Sequence, residues 1–163
     1  MEDEIVIVDT REQRPWNFEA EEKKSGHKSR IVGSQVDTLD CGDYTLLNYE
    51  HCLRIERKMG FGELLGNMTP IAHKERFERE MEKLSQYKYK YIVIEGNINN
   101  DLLGMSPVQF KYAPPCSSVL RWLIEIHMKY GVVPIFAGDA GKRVVRNIFE
   151  MVVREECPSS KKK

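Results

Sequence analysis

Apolar positions along the chain follow two different rhythms. Glu4-Ile5-Val6-Ile7-Val8-Asp9 is a short run rich in β-branched residues, which predicts a strand buried on both faces. Further strands are predicted over Ile31–Leu39, Tyr44–Leu47 and Cys52–Arg57. Turn-like pieces separate them, Asp40-Cys41-Gly42 and Asn48-Tyr49-Glu50-His51, so these three strands read as an antiparallel meander. The charged stretch from Phe18 to Arg30, with Gly26 inside it, reads as a loop or short helical excursion. From Phe61 the period lengthens. Phe77, Met81 and Leu84 are spaced i, i+4, i+7, the apolar stripe of a helix. Tyr91-Ile92-Val93-Ile94-Glu95 then predicts a buried strand. Cys116–Tyr130 predicts a helix, with Ser117 or Ser118 near its start and Gly131 as its stop. Val132-Val133-Pro134-Ile135-Phe136 predicts a last strand, placed at a sheet edge by Pro134. Ala140–Glu155 predicts a final helix with Val145, Ile148 and Val152 on one face. Breakers at Asn97-Ile98-Asn99-Asn100-Asp101 and Ala113-Pro114-Pro115 leave residues 97–115 without an assignment. Strands first, then alternating helix and strand, imply an α/β fold: a mixed central sheet flanked by helices.

With 163 residues and 41% hydrophobic content, the chain is expected to form one domain over residues 1–157, followed by a loose basic tail over residues 158–163. Basic and acidic residues balance at 25 each, so no global basic excess marks a nucleic-acid binder. Any such binding must use basic groups clustered on one face, or a bound cation. Cys41, Cys52, Cys116 and Cys157 lie far apart without a C-x-x-C pair, which fits a reduced intracellular protein better than a disulfide framework or zinc site. The start, Met1-Glu2-Asp3-Glu4, lacks a signal-peptide charge pattern, and no apolar run approaches the roughly 20 residues of a membrane helix. No membrane partner is expected.

The candidate chemistry sits at predicted strand edges. Asp9 ends the first strand, where open α/β sheets place their sites, although a strand-terminal aspartate also caps turns. Gly42-Asp43 precedes the third strand and by itself reads as a turn. Glu56-Arg57-Lys58 is sharper. With a side-chain period of two, Glu56 and Lys58 share one face of the strand and Arg57 takes the other. Carboxylates with a lysine beside them suit a phosphodiesterase that uses a hard cation such as Mg²⁺ or Mn²⁺. The lysine can orient the attacking water or stabilise charge on phosphate. His27, His51, His73 and His127 show no metal-ligand spacing, and Gly138-x-x-Gly141-Lys142 is only a fragment of a phosphate loop. Trp122 and the alternation Tyr87, Tyr89, Tyr91 could stack on bases, but core and strand packing explain them as well.

The order Asp9…Asp43…Glu56-x-Lys58 is the constellation of restriction-endonuclease-like nucleases. The fuller pattern, Val8-Asp9-Thr10-Arg11-Glu12, then Gly42-Asp43-Tyr44, then Glu56-Arg57-Lys58 with twelve residues between Asp43 and Glu56, resembles the nuclease domain of the xeroderma pigmentosum group F (XPF) family of structure-specific DNA endonucleases. The resemblance covers Val6 to about Glu150. It implies Asp9, Asp43 and Glu56 as metal ligands, Lys58 acting on water or phosphate, and Glu12 and Arg11 supporting the site. Arg11, Arg57 and Arg76 are the implied nucleic-acid contacts. It further implies a DNA substrate of branched or flap type, with roles in DNA repair or recombination, and a homodimer or heterodimer. The chain resembles a stand-alone version without helix-hairpin-helix modules, so a separate DNA-targeting subunit is a possible partner. Two departures stand out. The last acid of the signature G-D-x(n)-E-R-K-x-x-x-D falls on Gly62, with Glu63 one residue on, and a glutamine of the following helix falls on Glu80. Gly62 favours an alternative reading, an inactive nuclease-fold subunit that dimerises with an active one. Intact Glu56 and Lys58 oppose it.

Overall fold

A computed structural model describes residues 3–19, 29–68, 71–96 and 116–157. It contains strands β1 (Glu4–Asp9), β2 (Ile31–Asp37), β3 (Tyr44–Leu46) and β4 (Leu53–Lys58), then helices α1 (Phe61–Met68) and α2 (Ile71–Ser85). After these come β5 (Tyr89–Ile94), α3 (Cys116–Tyr130), β6 (Val133–Phe136) and α4 (Gly141–Glu156). Most of the stretch between Phe18 and Arg30, residues 97–115 and the tail at 158–163 lie outside the described residues.

The strands form one six-stranded sheet in the order β2-β1-β3-β4-β5-β6. β3 runs antiparallel to both its neighbours, and every other pairing is parallel. Five strands therefore end on the same side, and β3 begins there. The meander expected over β2, β3 and β4 is corrected by this pairing. Only β3 and β4 follow one another as antiparallel neighbours; β2 crosses to the far side of β1 and pairs parallel to it. Its burial explains the position: the second half, Ser34–Asp37, is solvent-exposed, as an edge strand permits. At the opposite edge, β6 pairs only with β5, which leaves room for Pro134.

Two apolar cores cover the faces of the sheet. Val6, Val8, Tyr44, Leu53, Ile55 and Val93 pack with Phe149, Val152 and Val153 of α4. Ile92 and Ile94 pack with Leu64, Phe77, Met81, Leu84 and Trp122 of α1, α2 and α3. The arrangement is the expected three-layer α/β domain. Its alternation also separates the charges of β4. Ile55 and Arg57 point toward the α4 layer, while Glu56 and Lys58 point toward α1 and α2.

Gly42 sets the entry into β3. It takes φ +71°, and a Cβ there would stand 3.1 Å from the carbonyl oxygen of Ile55. The next residue, Asp43, donates its N–H to that same carbonyl at 2.8 Å. Only glycine combines this backbone conformation with so close an approach. Gly42→Ala is expected to cost about 1–2 kcal/mol through the left-handed conformation alone. Urea unfolding would check this, and a stability equal to the parent would show that the turn can relax.

Candidate active site

The site is assembled by backbone pairing at the carboxyl ends of the parallel strands. Asp9 N–H donates to the Asp43 carbonyl at 2.8 Å, and Asp43 N–H donates to the Ile55 carbonyl at 2.8 Å. Register therefore sets Asp9, Asp43 and Glu56 side by side across β1, β3 and β4. Because Val8, Tyr44 and Ile55 face the α4 core, their neighbours Asp9, Asp43 and Glu56 fall on the opposite face. A hollow of about 310 Å³ opens there, lined among others by Arg11, Asp43, Glu56, Lys58, Arg76 and Glu80. A second hollow beside it adds Glu12, Gln13, Arg57 and Glu63, among others.

Lys58 is held by two acids. Its Nζ lies 2.7 Å from Glu56 Oε1 and 3.5 Å from Glu63 Oε1, with the side chain only 7% exposed. Glu63 Oε2 also accepts the N–H of Met59 at 2.8 Å, which fixes the carboxylate at the start of α1. Glu63, one residue beyond Gly62, thus reaches Lys58. Burial alone would lower the pKa of the Lys58 ammonium. The carboxylates of Glu56, Glu63 and Asp43 outweigh it and hold the group charged above its ordinary value.

Asp43 is placed less comfortably. Its Oδ2 accepts the backbone N–H of Arg57 at 2.6 Å. Burial, then the nearby Glu56 carboxylate, nevertheless push its pKa up to about 8. Burial pushes Glu56 up as well, against the pull of Lys58. Glu80, from α2, adds to the negative potential at Glu56. Two neighbouring carboxyl groups that resist ionising together form an oxygen donor set that a hard dication would satisfy, so Asp43 and Glu56 fit Mg²⁺ or Mn²⁺. The third member of the expected set is engaged elsewhere. Asp9 has its side chain fully buried, and both its oxygens accept from Arg11 Nε, at 2.7 and 3.1 Å. Among the described residues, no three histidine, cysteine, aspartate or glutamate side chains stand together as a metal cluster.

Arg57 has other partners than Lys58. The period of two turns it to the α4 face. There its guanidinium meets Glu95 at 2.6 Å, donates to the Arg14 carbonyl and stacks 4.1 Å over the ring of Trp16. Glu12 stands 3.8 Å away on the same guanidinium. These contacts tie β4, β5 and the segment after β1 together, and Arg57 also borders the second hollow, as Arg11 and Arg76 do. Trp122 packs into the core against Phe77, with ring centres 4.9 Å apart. Tyr87 donates to Asp40 and lies under Arg54. Sequence reasoning missed Glu95, the counter-ion of Arg57, and Asn67 on the cleft wall. Neither carries a local signal, since only the packing of β5 and α1 against β4 brings them in.

The raised pKa of Asp43 gives a stability prediction for cation-free protein. An unfolded aspartate loses its proton near pH 4, whereas folded Asp43 keeps it to about pH 8. Between these values the folded state binds the extra proton, so this group's contribution falls as pH rises. Asn at this position has no such penalty. Asp43→Asn is therefore expected to be more stable than the parent at pH 8.5 by about 1 kcal/mol or more. The gap should close as pH approaches 4. Denaturant unfolding across this range in a chelating buffer checks it, and a gap independent of pH would refute the raised pKa.

No family model matches the chain, and no curated protein matches it in sequence. Its fold does match solved structures. XPF from Aeropyrum pernix aligns with a TM-score of 0.59 at 19% identity, over 98% of this chain and 64% of that one. XPF from Aeropyrum pernix in complex with DNA aligns with a TM-score of 0.59 at 18% identity, over 96% of this chain and 68% of that one. This chain thus spans about two thirds of the length of the XPF chains it matches. The chain carries the fold of these XPF structures, a restriction-endonuclease-like mixed sheet between helical layers.

Proposed function

We propose that the chain is a Mg²⁺- or Mn²⁺-dependent DNA endonuclease of the XPF type, acting on branched or flap-like DNA. The observation that carries this reading is the convergence of Asp43, Glu56 and Lys58 in one cleft with Arg11 and Arg76 on its walls. The similarity of fold to XPF, one of whose matched structures is a complex with DNA, supports it. In this reading Asp43 and Glu56 hold the cation, and Asp9 completes the set once Arg11 releases it. A cation held there would neutralise the scissile phosphate and lower the pKa of a water near it. Lys58, kept charged by Glu56 and Glu63, stabilises the negative charge that builds on the phosphate oxygens. Arg11 and Arg76 grip phosphates through their forked guanidinium donors. Glu12 supports the site from beside Arg57. Assembly as a homodimer or heterodimer, or with a DNA-targeting subunit, belongs to the same proposal; Ile124 and Met128 on α3 offer exposed apolar surface for it.

Labelled flap, linear duplex and RNA substrates, incubated with Mg²⁺ or Mn²⁺, test the proposal. The parent is expected to cut flap DNA and to lose activity in EDTA. Asp43→Asn and Lys58→Met should each reduce the rate about 100-fold or more. Cutting that survives both substitutions would place the chemistry elsewhere. A folded parent that cuts nothing would favour the reading supported by Gly62, a non-catalytic nuclease-fold subunit.

A further inference from the structure

Asp9 and Arg11 are claimed by two partners each. If the cation reading holds, Asp9 belongs to the cation and Arg11 to a phosphate. In the structure they bind one another, and Arg11 Nε lies across the Asp9 oxygens that a cation would take. Arg11 Nε spans both oxygens of Asp9, and Arg11 Nη2 donates to the Leu39 carbonyl at 2.9 Å. The backbone beneath is pinned: Asp9 N–H is bonded to Asp43, Thr10 N–H to the Asp37 carbonyl, and Glu12 N–H to the Asp9 carbonyl. The backbone of the pair is thus held in place, and what is free to turn is the exposed Arg11 side chain. The two ends of the pair are unequal. The Asp9 side chain is fully buried, while that of Arg11 is 57% exposed and borders both hollows of the cleft. A half-exposed guanidinium is a screened, weakly held partner. A dication shared with two further carboxylates is a stronger one for the same buried oxygens.

We propose that Arg11 couples cation binding to DNA binding: it neutralises Asp9 in the cation-free protein, yields Asp9 to the site formed with Asp43 and Glu56, and turns its freed guanidinium onto a DNA phosphate. This rests on the cation reading above. It makes Arg11 a competitor of the cation when DNA is absent and a DNA ligand when the cation is present. Such coupling is reciprocal, so the cation tightens DNA binding by the same factor by which DNA tightens cation binding. A permanent structural ion pair between Asp9 and Arg11 would produce neither effect.

The test has two readouts that need no turnover. Mn²⁺ binding without DNA is measured by calorimetry for the parent, Arg11→Gln, Arg11→Lys, Arg76→Gln and Asp43→Asn, each checked for folding by circular dichroism. Arg76→Gln controls for loss of one positive charge on the cleft wall without touching Asp9. Arg11→Gln should bind Mn²⁺ about tenfold more tightly than the parent. Arg11→Lys, which keeps the charge but not the fork, should fall between them, and Arg76→Gln should stay within about threefold of the parent. The Lys lane keeps the test decisive if Arg11→Gln fails to fold. Flap-DNA affinity is then measured by anisotropy in the slow-cutting Lys58→Met background, with and without Mn²⁺. Adding Arg11→Gln should remove most of the gain that Mn²⁺ gives. Unchanged or weaker Mn²⁺ binding in the Arg11 variants, with Asp43→Asn abolishing it, overturns the exchange and leaves the cation site standing. No Mn²⁺ binding by any protein overturns both.

Discussion

The central strand β4 ends in three consecutive charges, Glu56-Arg57-Lys58, inside a sheet covered on both faces. Charged groups taken out of water need partners, and leaving one unpaired costs several kcal/mol. Much of the rest of the domain supplies those partners. On the α4 face, Arg57 draws in Glu95 from the end of β5, the Arg14 carbonyl and the ring of Trp16. A Cβ at Gly141 would stand 2.8 Å from Trp16 and 2.9 Å from Glu95, so α4 can begin there only by lying directly on this cluster. On the other face, Lys58 draws in Glu56 and, through the first turn of α1, Glu63.

The two faces differ in how completely they are neutralised. Around Arg57 the charges, hydrogen bonds and ring contact close on themselves, and the cluster works as a fastening. Around Lys58 they do not close. Asp43 and Glu56 crowd one another at low exposure, and Asp43 holds a proton far above the usual carboxylate range. The same period of two thus produces a rigid side and a strained side from adjacent residues. Strain of this kind costs stability in the cation-free state, and proteins commonly carry it where function requires like charges together.

Much of this was legible in the sequence wherever the rule is local. The β-branched run before Asp9, the helix from Cys116 to the stop at Gly131, which takes φ +66°, and the opposed faces of Glu56 and Arg57 all follow from spacing within a few residues. The neighbour of β2 was not legible. Residues 31–37 read as a strand, but a strand pattern does not name a partner, and the turn-like Asp40-Cys41-Gly42 suggested a hairpin where β2 instead pairs with the far side of β1. The Asp9–Arg11 pair was hidden for a different reason. Both residues stood out as candidates, but two residues apart across a turn they meet only because the chain bends between them after β1. Glu95 and Asn67 required the packing of β5 and α1 before they could be seen at all.

The strained side also limits what can complete it. The acids facing the cleft are met by Lys58, which Glu56 and Glu63 already engage, and by Arg11, which Asp9 holds. Arg76 is on the wall. A second lysine or arginine in the middle would relieve the repulsion between Asp43 and Glu56, but it would fill the space that the proposed function gives to a phosphate. A small dication relieves the same repulsion, carries twice the charge and keeps coordination positions for water and phosphate oxygen. A proton, which Asp43 takes up instead near neutral pH, does neither of the last two. In the proposed function, then, a cation that enters the cleft would complete the electrostatics of β4 where a further residue of the chain could not.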